Sequence, residues 1–524
     1  MGGIKIPKKS VHPRKTYILN LDGMRADYFM TQGHQGCLTT TLKYLAEHGV
    51  RFSKCKDILP AVTATNHTSI LTSTHLETHG IYGMGAHFQD LDFDHYRISS
   101  KHGIATVDKY HHKHLECLPT FFNVVKQNNP DSKTAFIIGK YWVNFLADES
   151  CDILIYAGNQ SNPDYVTDSP SYILGGEKHE GDQGFPPRIY MTKKGEKQAS
   201  PPKGTIAAPG LATADIMPSD KWIIDQTIQT ICHHDPDFIY VLLNNIDTAG
   251  HMYGAFTDLN TSNLGNIINP DAMKDQLYIT DSQVKRFLEF LERRETLEES
   301  RIIITSDHGM STMKESKRSP DVRKTLRDHS LHIKANTRWT PYGYNDNGDY
   351  VWCGSEGTQV YIYCSKENEQ EIKHALVHHL PHYYEILDEE AQRKKKMWKG
   401  DYQDVIWPRI IVFLEKNYAN IYYGDGYAAG GKILTELPPY LKLMIAKIYK
   451  APGMPGTHGT HSEQDVPLIF YSPKEHNSEK INVKPGTIIE DEVSVIDIIP
   501  TINRLNEWSD QPTFEGKTLF PYNQ

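Results

Sequence analysis

One unit recurs along the chain: a short run of β-branched and aromatic residues, then turn residues, then an amphipathic stretch. The runs are TYILNLDG, TAFIIGK, FIYVLLNNID, RIIITSDHG, TQVYIYC, RIIVFLE and VPLIFYSP. Strands separated by helical stretches imply βα units, so the expected fold is α/β with a mostly parallel sheet. Residues 219–234, SDKWIIDQTIQTICHH, illustrate the helical half of the unit. Ser219 is a suitable N-cap, and Trp222, Ile223, Ile224, Ile228 and Ile231 fall mostly on one face. The helix leads into a strand at 238–243.

At 524 residues the chain is long enough for two or three average domains, or for one large sheet with insertions. Two stretches break the rhythm: 155–215, rich in Gly, Pro, Ser and Lys, and 315–358, rich in charge, Asn, Gly and aromatics. Long loops inside a domain are usually functional or disordered. Both are read as cap segments over the sheet, which leaves 1–154, 216–314 and 359–524 as the catalytic core.

The balance of 56 Lys+Arg against 65 Asp+Glu gives a formal charge of -9, and no long basic run is present. That argues against a surface that tracks nucleic acid, while leaving room for a nucleotide in a pocket. No apolar run reaches the roughly 18 residues that span a bilayer; LKLMIAKIY at 441–449 is too short. The start shows no secretory core, and Ile6 breaks the myristoylation pattern. Seven scattered cysteines, at 37, 55, 117, 151, 232, 353 and 364, suit reduced thiols better than a disulfide framework. A soluble, cytoplasmic protein is expected, unless a leader was trimmed. The run RKKKMWKG at 393–400 reads as a solvated helix end, and HHKHLE at 111–116 as exposed rather than metal-binding.

Three strands end in an acid: Asp22 after YILNL, Asp247 after VLLNNI and Asp307 after RIIITS. Ligands of open α/β sheets bind beyond the carboxyl ends of strands, so three acids distant in sequence can converge there. A single such acid would be a turn residue or helix cap. These acids come with imidazoles: His251 follows Asp247 by four, His308 follows Asp307 directly, and His458 lies in GTHGTH. Carboxylates and imidazoles together suit a divalent ion such as zinc, and carboxylates this close repel one another without a cation.

The ordered series LDGMRADY, TATNH, DTAGHMYG, TSDHGM and GTHGTHSEQDVPLIF, spanning about residues 16 to 505, resembles the alkaline phosphatase superfamily. Its Asn-His pair after a threonine is similar to the type I phosphodiesterase/nucleotide pyrophosphatase branch. The resemblance implies an alkaline phosphatase-like α/β fold, a central mostly parallel sheet sandwiched by helices, with inserted cap segments. It implies one zinc held by Asp247, His251 and His458, and a second held by Asp22, Asp307 and His308. Manganese or iron could replace zinc. Thr63 would be the nucleophile and a further metal ligand, forming a phosphothreonine.

Thr63 also suits the chemistry: a weakly nucleophilic hydroxyl becomes an alkoxide on a metal, and a helix start favours an anionic phosphoryl group. Asn66 and the N–H of Ala64 are assigned to the oxygen on which charge develops. Thr65 reads as a turn residue, Thr68, Thr72 and Thr74 as helical, and His67 as structural. Lys140, in FIIGKYWVNF, reads either as a substrate contact or as a helix start with a snorkelling side chain. Its neighbours Tyr141 and Trp142 could stack on a base or leaving group.

The expected substrate is a small phosphodiester, a nucleotide or a pyrophosphate. Phosphonate hydrolysis, as in phosphonoacetate hydrolases, or phosphomonoester hydrolysis is the alternative. CLPTFF at 117–122 lacks the arginine of the sulfatase motif and does not sit at the nucleophile position. A non-catalytic binding protein would have lost the nucleophile or a ligand, and all seven positions are present.

Overall fold

Short apolar runs become central strands here because both of their faces are covered. The protein is seen in a computed structural model that describes residues 15–29, 31–33, 36–83, 85–88, 96–97, 118–156, 172–174, 177–179, 206–207, 216–217, 219–255, 270–313, 320–329, 351–401, 405–418, 456–477, 480–509 and 511–520. Eight strands of the central sheet come first: β1 (Lys15–Leu21), β2 (Val50–Lys56), β3 (Thr134–Ile138), β4 (Ile153–Tyr156), β5 (Tyr172–Leu174), β6 (Glu177–His179), β7 (Phe238–Leu243) and β8 (Ser300–Thr305). A second group follows, with β9 (Val351–Glu356), β10 (Gln359–Cys364), β11 (Tyr383–Leu387) and β12 (Ile410–Leu414). The chain then returns to the first group with β13 (Asp465–Tyr471) and β14 (Thr487–Ser494).

The central sheet runs β6-β5-β4-β3-β7-β1-β8-β13-β2-β14. From β4 through β8 every pairing is parallel, as is the pairing of β2 with β14. The expected α/β sandwich is present, with β13 antiparallel to both neighbours.

The helices that matter below are α1 (Thr40–His48), α2 (Thr63–Thr72), α3 (Phe121–Asn128), α4 (Asp220–His234), α5 (Asn245–Tyr253), α6 (Pro270–Arg293), α7 (Val322–His329), α8 (Glu369–His379) and α9 (Ile498–Leu505). Successive strand residues point to opposite faces, and the cores divide accordingly. Phe136, Ile138, Phe238, Tyr240, Leu242 and Ile303 pack in one core with α2, α3 and α9. Ala135, Ile137, Ile239, Val241, Leu243, Ile302 and Ile304 pack in the other with α1, α4, α5 and α6. Truncating one of these aromatics, such as Phe136→Ala, costs about 3–5 kcal/mol. Helix α4 has the predicted limits, and its cap is Ser219, whose side chain accepts from the Trp222 N–H.

Two predicted strands belong elsewhere. TQVYIYC and RIIVFLE form β10 and β12 of an antiparallel sheet of order β9-β10-β12-β11. One face of that sheet packs on α7 and α8 through Val360, Ile362, Val412, Leu326 and Leu376. Its other face joins the first core through Tyr361, Tyr363, Ile411 and Phe413. Burial on both faces gives these runs the composition of parallel strands.

The segments read as caps contribute to the layers. β5 and β6, within 155–215, extend the edge of the central sheet. α7 and β9, within 315–358, belong to the second sheet and its helices. The boundary at 358 falls in the turn of the β9–β10 hairpin, where Glu356 pairs with Gln359. Cys117, HHKHLE and LKLMIAKIY lie outside the described residues, as do the side chains of Tyr141 and Trp142. Met397 and Trp398, inside the basic run, are buried. Among the described residues the other six cysteines form no disulfide, and no helix is long and apolar enough to cross a membrane.

Candidate active site

Four neighbouring strands, β3, β7, β1 and β8, lead in that order to Lys140, Asp247, Asp22 and the pair Asp307–His308. Adjacent strands lie about 4.8 Å apart, so the sheet sets one lysine and three acids in a row along its carboxyl edge. Asp247 occupies the first turn of α5 and His251 its last. Gly23 permits the close approach of the Asp22 and Asp247 loops: its φ is +75°, and a Cβ there would meet Asp247 Cα at 2.7 Å. His458 follows the short strand Gly456–Thr457, which pairs with Ser311–Thr312 just beyond His308.

The ligand atoms of Asp247, His308 and His458 lie within 4.8 Å of one another, as do those of Asp22, Asp307 and His308. His308 is therefore common to both clusters. His251 joins through its Nε2, 3.3 Å from Asp247 Oδ1, and His458 Nε2 is 3.7 Å from the same oxygen. His308 Nε2 lies 3.5 Å from Asp22 Oδ1 and 3.4 Å from Asp307 Oδ2. Donor atoms each about 2.1 Å from a tetrahedral zinc lie about 3.4 Å apart, close to these separations.

Two further features fit a cation. Asp247 Oδ1 and Asp307 Oδ2 are buried and, among the described residues, accept no hydrogen bond. Each imidazole also directs Nδ1 at a backbone carbonyl: His308 at Gly309 (2.8 Å), His458 at Ala61 (2.8 Å) and His251 at Gly456 (2.9 Å). An Nδ1–H donated to a carbonyl leaves the Nε2 lone pair for a metal. The carbonyls that orient these rings carry no sequence signal, since every residue has one.

Burial lowers the pKa of His308 and of His458, keeping both rings neutral. Burial together with the Asp307 charge raises that of Asp22. Burial alone would raise Asp247, but His251 and Lys140 hold it well below the usual carboxylate range. Lys140 is 3% exposed, and burial would discharge it, yet Asp22, Asp247 and Asp307 together keep it an ammonium. Its Nζ donates to Asp22 Oδ1 (2.8 Å), Asp247 Oδ2 (2.8 Å) and Thr63 Oγ1 (3.2 Å). A side chain buried there does not snorkel; its ammonium sits beside the Thr63 hydroxyl.

Thr63 is the first residue of α2, and its Oγ1 lies 3.2 Å from His308 Nε2. The N–H groups of a helix's first turn, Ala64's included, have no acceptor within the helix. The Asn66 carboxamide engages the loop before Thr63. Its Oδ1 accepts from the Ile58 N–H (2.7 Å) and its Nδ2 donates to the carbonyls of Ile58 (2.9 Å), Pro60 and Val62 (3.4 Å each). It ties down the loop before Thr63. Thr65 is helical rather than in a turn, and its hydroxyl donates to Ile81 O. Thr74 lies past the helix end. His67 bonds the Tyr240 hydroxyl at 2.7 Å, and burial lowers its pKa to about 4.

The helix-flanked, mainly parallel sheet has an alkaline phosphatase-like fold, and the acid–imidazole clusters lie at its carboxyl edge. The chain belongs to the type I phosphodiesterase / nucleotide pyrophosphatase family, whose model matches residues 16–425. Among solved structures it is similar to murine ectonucleotide pyrophosphatase / phosphodiesterase 5, with 14% identity, a TM-score of 0.57, and coverage of 96% of this chain and 97% of the other. An inactive threonine-to-alanine form of that murine protein, in complex with AMP, is equally similar. The human counterpart gives 15% identity, a TM-score of 0.55, and coverage of 95% and 96%. No curated protein matches the chain by sequence comparison.

Proposed function

We propose that the protein hydrolyses phosphodiester or pyrophosphate bonds of small nucleotide-like substrates, with Thr63 as nucleophile and a phosphothreonine as intermediate. One observation carries the reading: the Thr63 hydroxyl, at a helix start, lies 3.2 Å from both His308 Nε2 and Lys140 Nζ beside two acid–imidazole clusters. Two divalent ions, zinc in this reading with manganese or iron as alternatives, would be held by Asp247, His251 and His458 and by Asp22, Asp307, His308 and Thr63, and would supply Lewis-acid stabilisation of the threonine and leaving oxygens. Thr63 Oγ1 attacks phosphorus in line, and the leaving oxygen departs as the new O–P bond forms. The Lys140 ammonium favours the ionised hydroxyl. The first-turn N–H groups of α2, Ala64's among them, and the helix dipole favour the anionic phosphoryl group. Water then attacks the phosphothreonine from the vacated side and releases Thr63. The nucleotide character is supported by the family's description and by the AMP complex of the murine neighbour.

Lys140 favours a second reading. A fixed cation beside the nucleophile also suits a substrate with an additional anionic oxygen, a phosphomonoester or a phosphonate. Zinc-loaded protein assayed on bis-p-nitrophenyl phosphate, a dinucleotide, p-nitrophenyl phosphate, a phenylphosphonate monoester and phosphonoacetate tests both. The first reading expects the diester and the dinucleotide to be turned over fastest. Faster turnover of p-nitrophenyl phosphate or phosphonoacetate, lost selectively in Lys140→Met, would establish the second.

A further inference from the structure

Four histidines meet at one outer corner of the second sheet's helices. His374 and His378 lie one turn apart on α8, with ring centroids 4.2 Å apart and planes inclined by 52°. His379 follows, 6.3 Å from His378, and stacks on His329, the last residue of α7, at 3.7 Å and 10°. All four are exposed, and among the described residues none of their rings makes a hydrogen bond. The acid nearest in sequence to His329, Asp328, is paired with Lys324.

We infer that this corner is a surface site for a divalent transition-metal ion of the zinc or nickel type, chelated by His374 and His378. Residues four apart on a helix are neighbours on its surface, and the His374 and His378 rings, 4.2 Å apart at their centroids, are close enough to share one ion. A donor set of imidazoles without a carboxylate selects zinc, copper or nickel over magnesium and calcium. The carboxyl ends of α7 and α8 both reach this corner, and the partial negative charge there favours a cation. An ion so held would pin the last turns of α8, beside its stack with α7. The site is independent of the acid–imidazole clusters and of the function proposed for them.

The test uses untagged full-length protein. Equilibrium dialysis against zinc, followed by elemental analysis, is expected to show one ion per chain fewer in the double variant His374→Ala/His378→Ala, with hydrolysis unchanged. The parent is expected to be retained on a nickel-chelate resin, and the double variant to pass through. Asp247→Ala separates the two sites, since it is expected to lose an ion and activity while staying on the resin. His329→Ala/His379→Ala is expected to remain on the resin too. The positions are exposed, so an unchanged melting curve guards against misfolding. Equal zinc content and equal retention of parent and double variant would overturn the proposal.

Discussion

Six threonines lie between Pro60 and Gly83, and the structure gives five of them other tasks. Thr65 donates to Ile81 O, Thr68 to Ala64 O and Thr72 to Thr68 O; Thr74 pairs with Thr72, and Thr78 donates to Glu515. Only the Thr63 hydroxyl of this set meets His308 and Lys140. Thr63→Ala is therefore expected to lower turnover by about 10³–10⁶ while retaining its metal content, and Thr65→Ala to be far milder. Acid quenching during turnover, followed by peptide mass spectrometry, should place the phosphoryl group on the peptide containing Thr63; a label on another residue would exclude this nucleophile. Asn66 provides the contrast. A carboxamide aimed at transition-state charge would cost rate alone when removed, whereas one clamping a loop costs stability. Asn66→Ala leaves the backbone groups of Ile58 unpaired in a buried place, so urea unfolding should show a loss of about 1–3 kcal/mol. Neither alternative was legible beforehand, because a motif records spacing and not the direction in which a side chain turns.

At the scale of elements, α4 carries a pH-dependent contact at its first residue. Asp220 Oδ1 accepts from the N–H groups of Asn244 and Asn245, and its Oδ2 accepts from Thr280 on α6. Burial raises this carboxyl from 3.8 to about 6 in spite of those donors. The folded chain then keeps a proton that the unfolded chain has released. The contribution to stability is fully present below 3.8 and is lost as the pH rises to about 6, a change of about 3 kcal/mol. Relative to the non-titrating Asp220→Asn variant, the parent should lose stability across that window, and urea midpoints measured from pH 4 to 7 would show it. Parallel pH profiles for the two proteins would mean that Asp220 titrates in the folded chain as it does in the unfolded one. Helix α4 was legible in the sequence because its cap and apolar stripe are local. The sheet to which TQVYIYC and RIIVFLE belong was not, since a run buried on both faces reads the same in either sheet.

The whole molecule matters because the site has no local origin. Its residues run from Asp22 to His458, and they meet because β3, β7, β1 and β8 are neighbours in the sheet while the loop before β13 folds back over their ends. The acids and imidazoles were legible as candidates from their places near strand ends, and the structure brings Asp22, Asp247, Asp307, His308 and His458 together. The contacts of Lys140 were not, because its meeting with Asp22 and Asp247 depends on strand order, which no local pattern encodes. Three buried carboxylates answered by one ammonium leave an excess of negative charge, which a divalent ion would offset. Ions bound there would hold together segments more than four hundred residues apart in the chain, and so stabilise the entire core. Removing them with a chelator should lower the melting temperature as one cooperative shift, and zinc should restore it. At a free concentration about 100-fold above the dissociation constant, each ion contributes about 2.7 kcal/mol. Asp247→Ala should keep part of the shift, because the Asp22, Asp307 and His308 cluster survives, whereas Asp307→Ala should lose the part carried by that second cluster. An unchanged melting curve after chelation, with elemental analysis showing that ions had been bound and were removed, would mean that metal serves the chemistry without holding the fold.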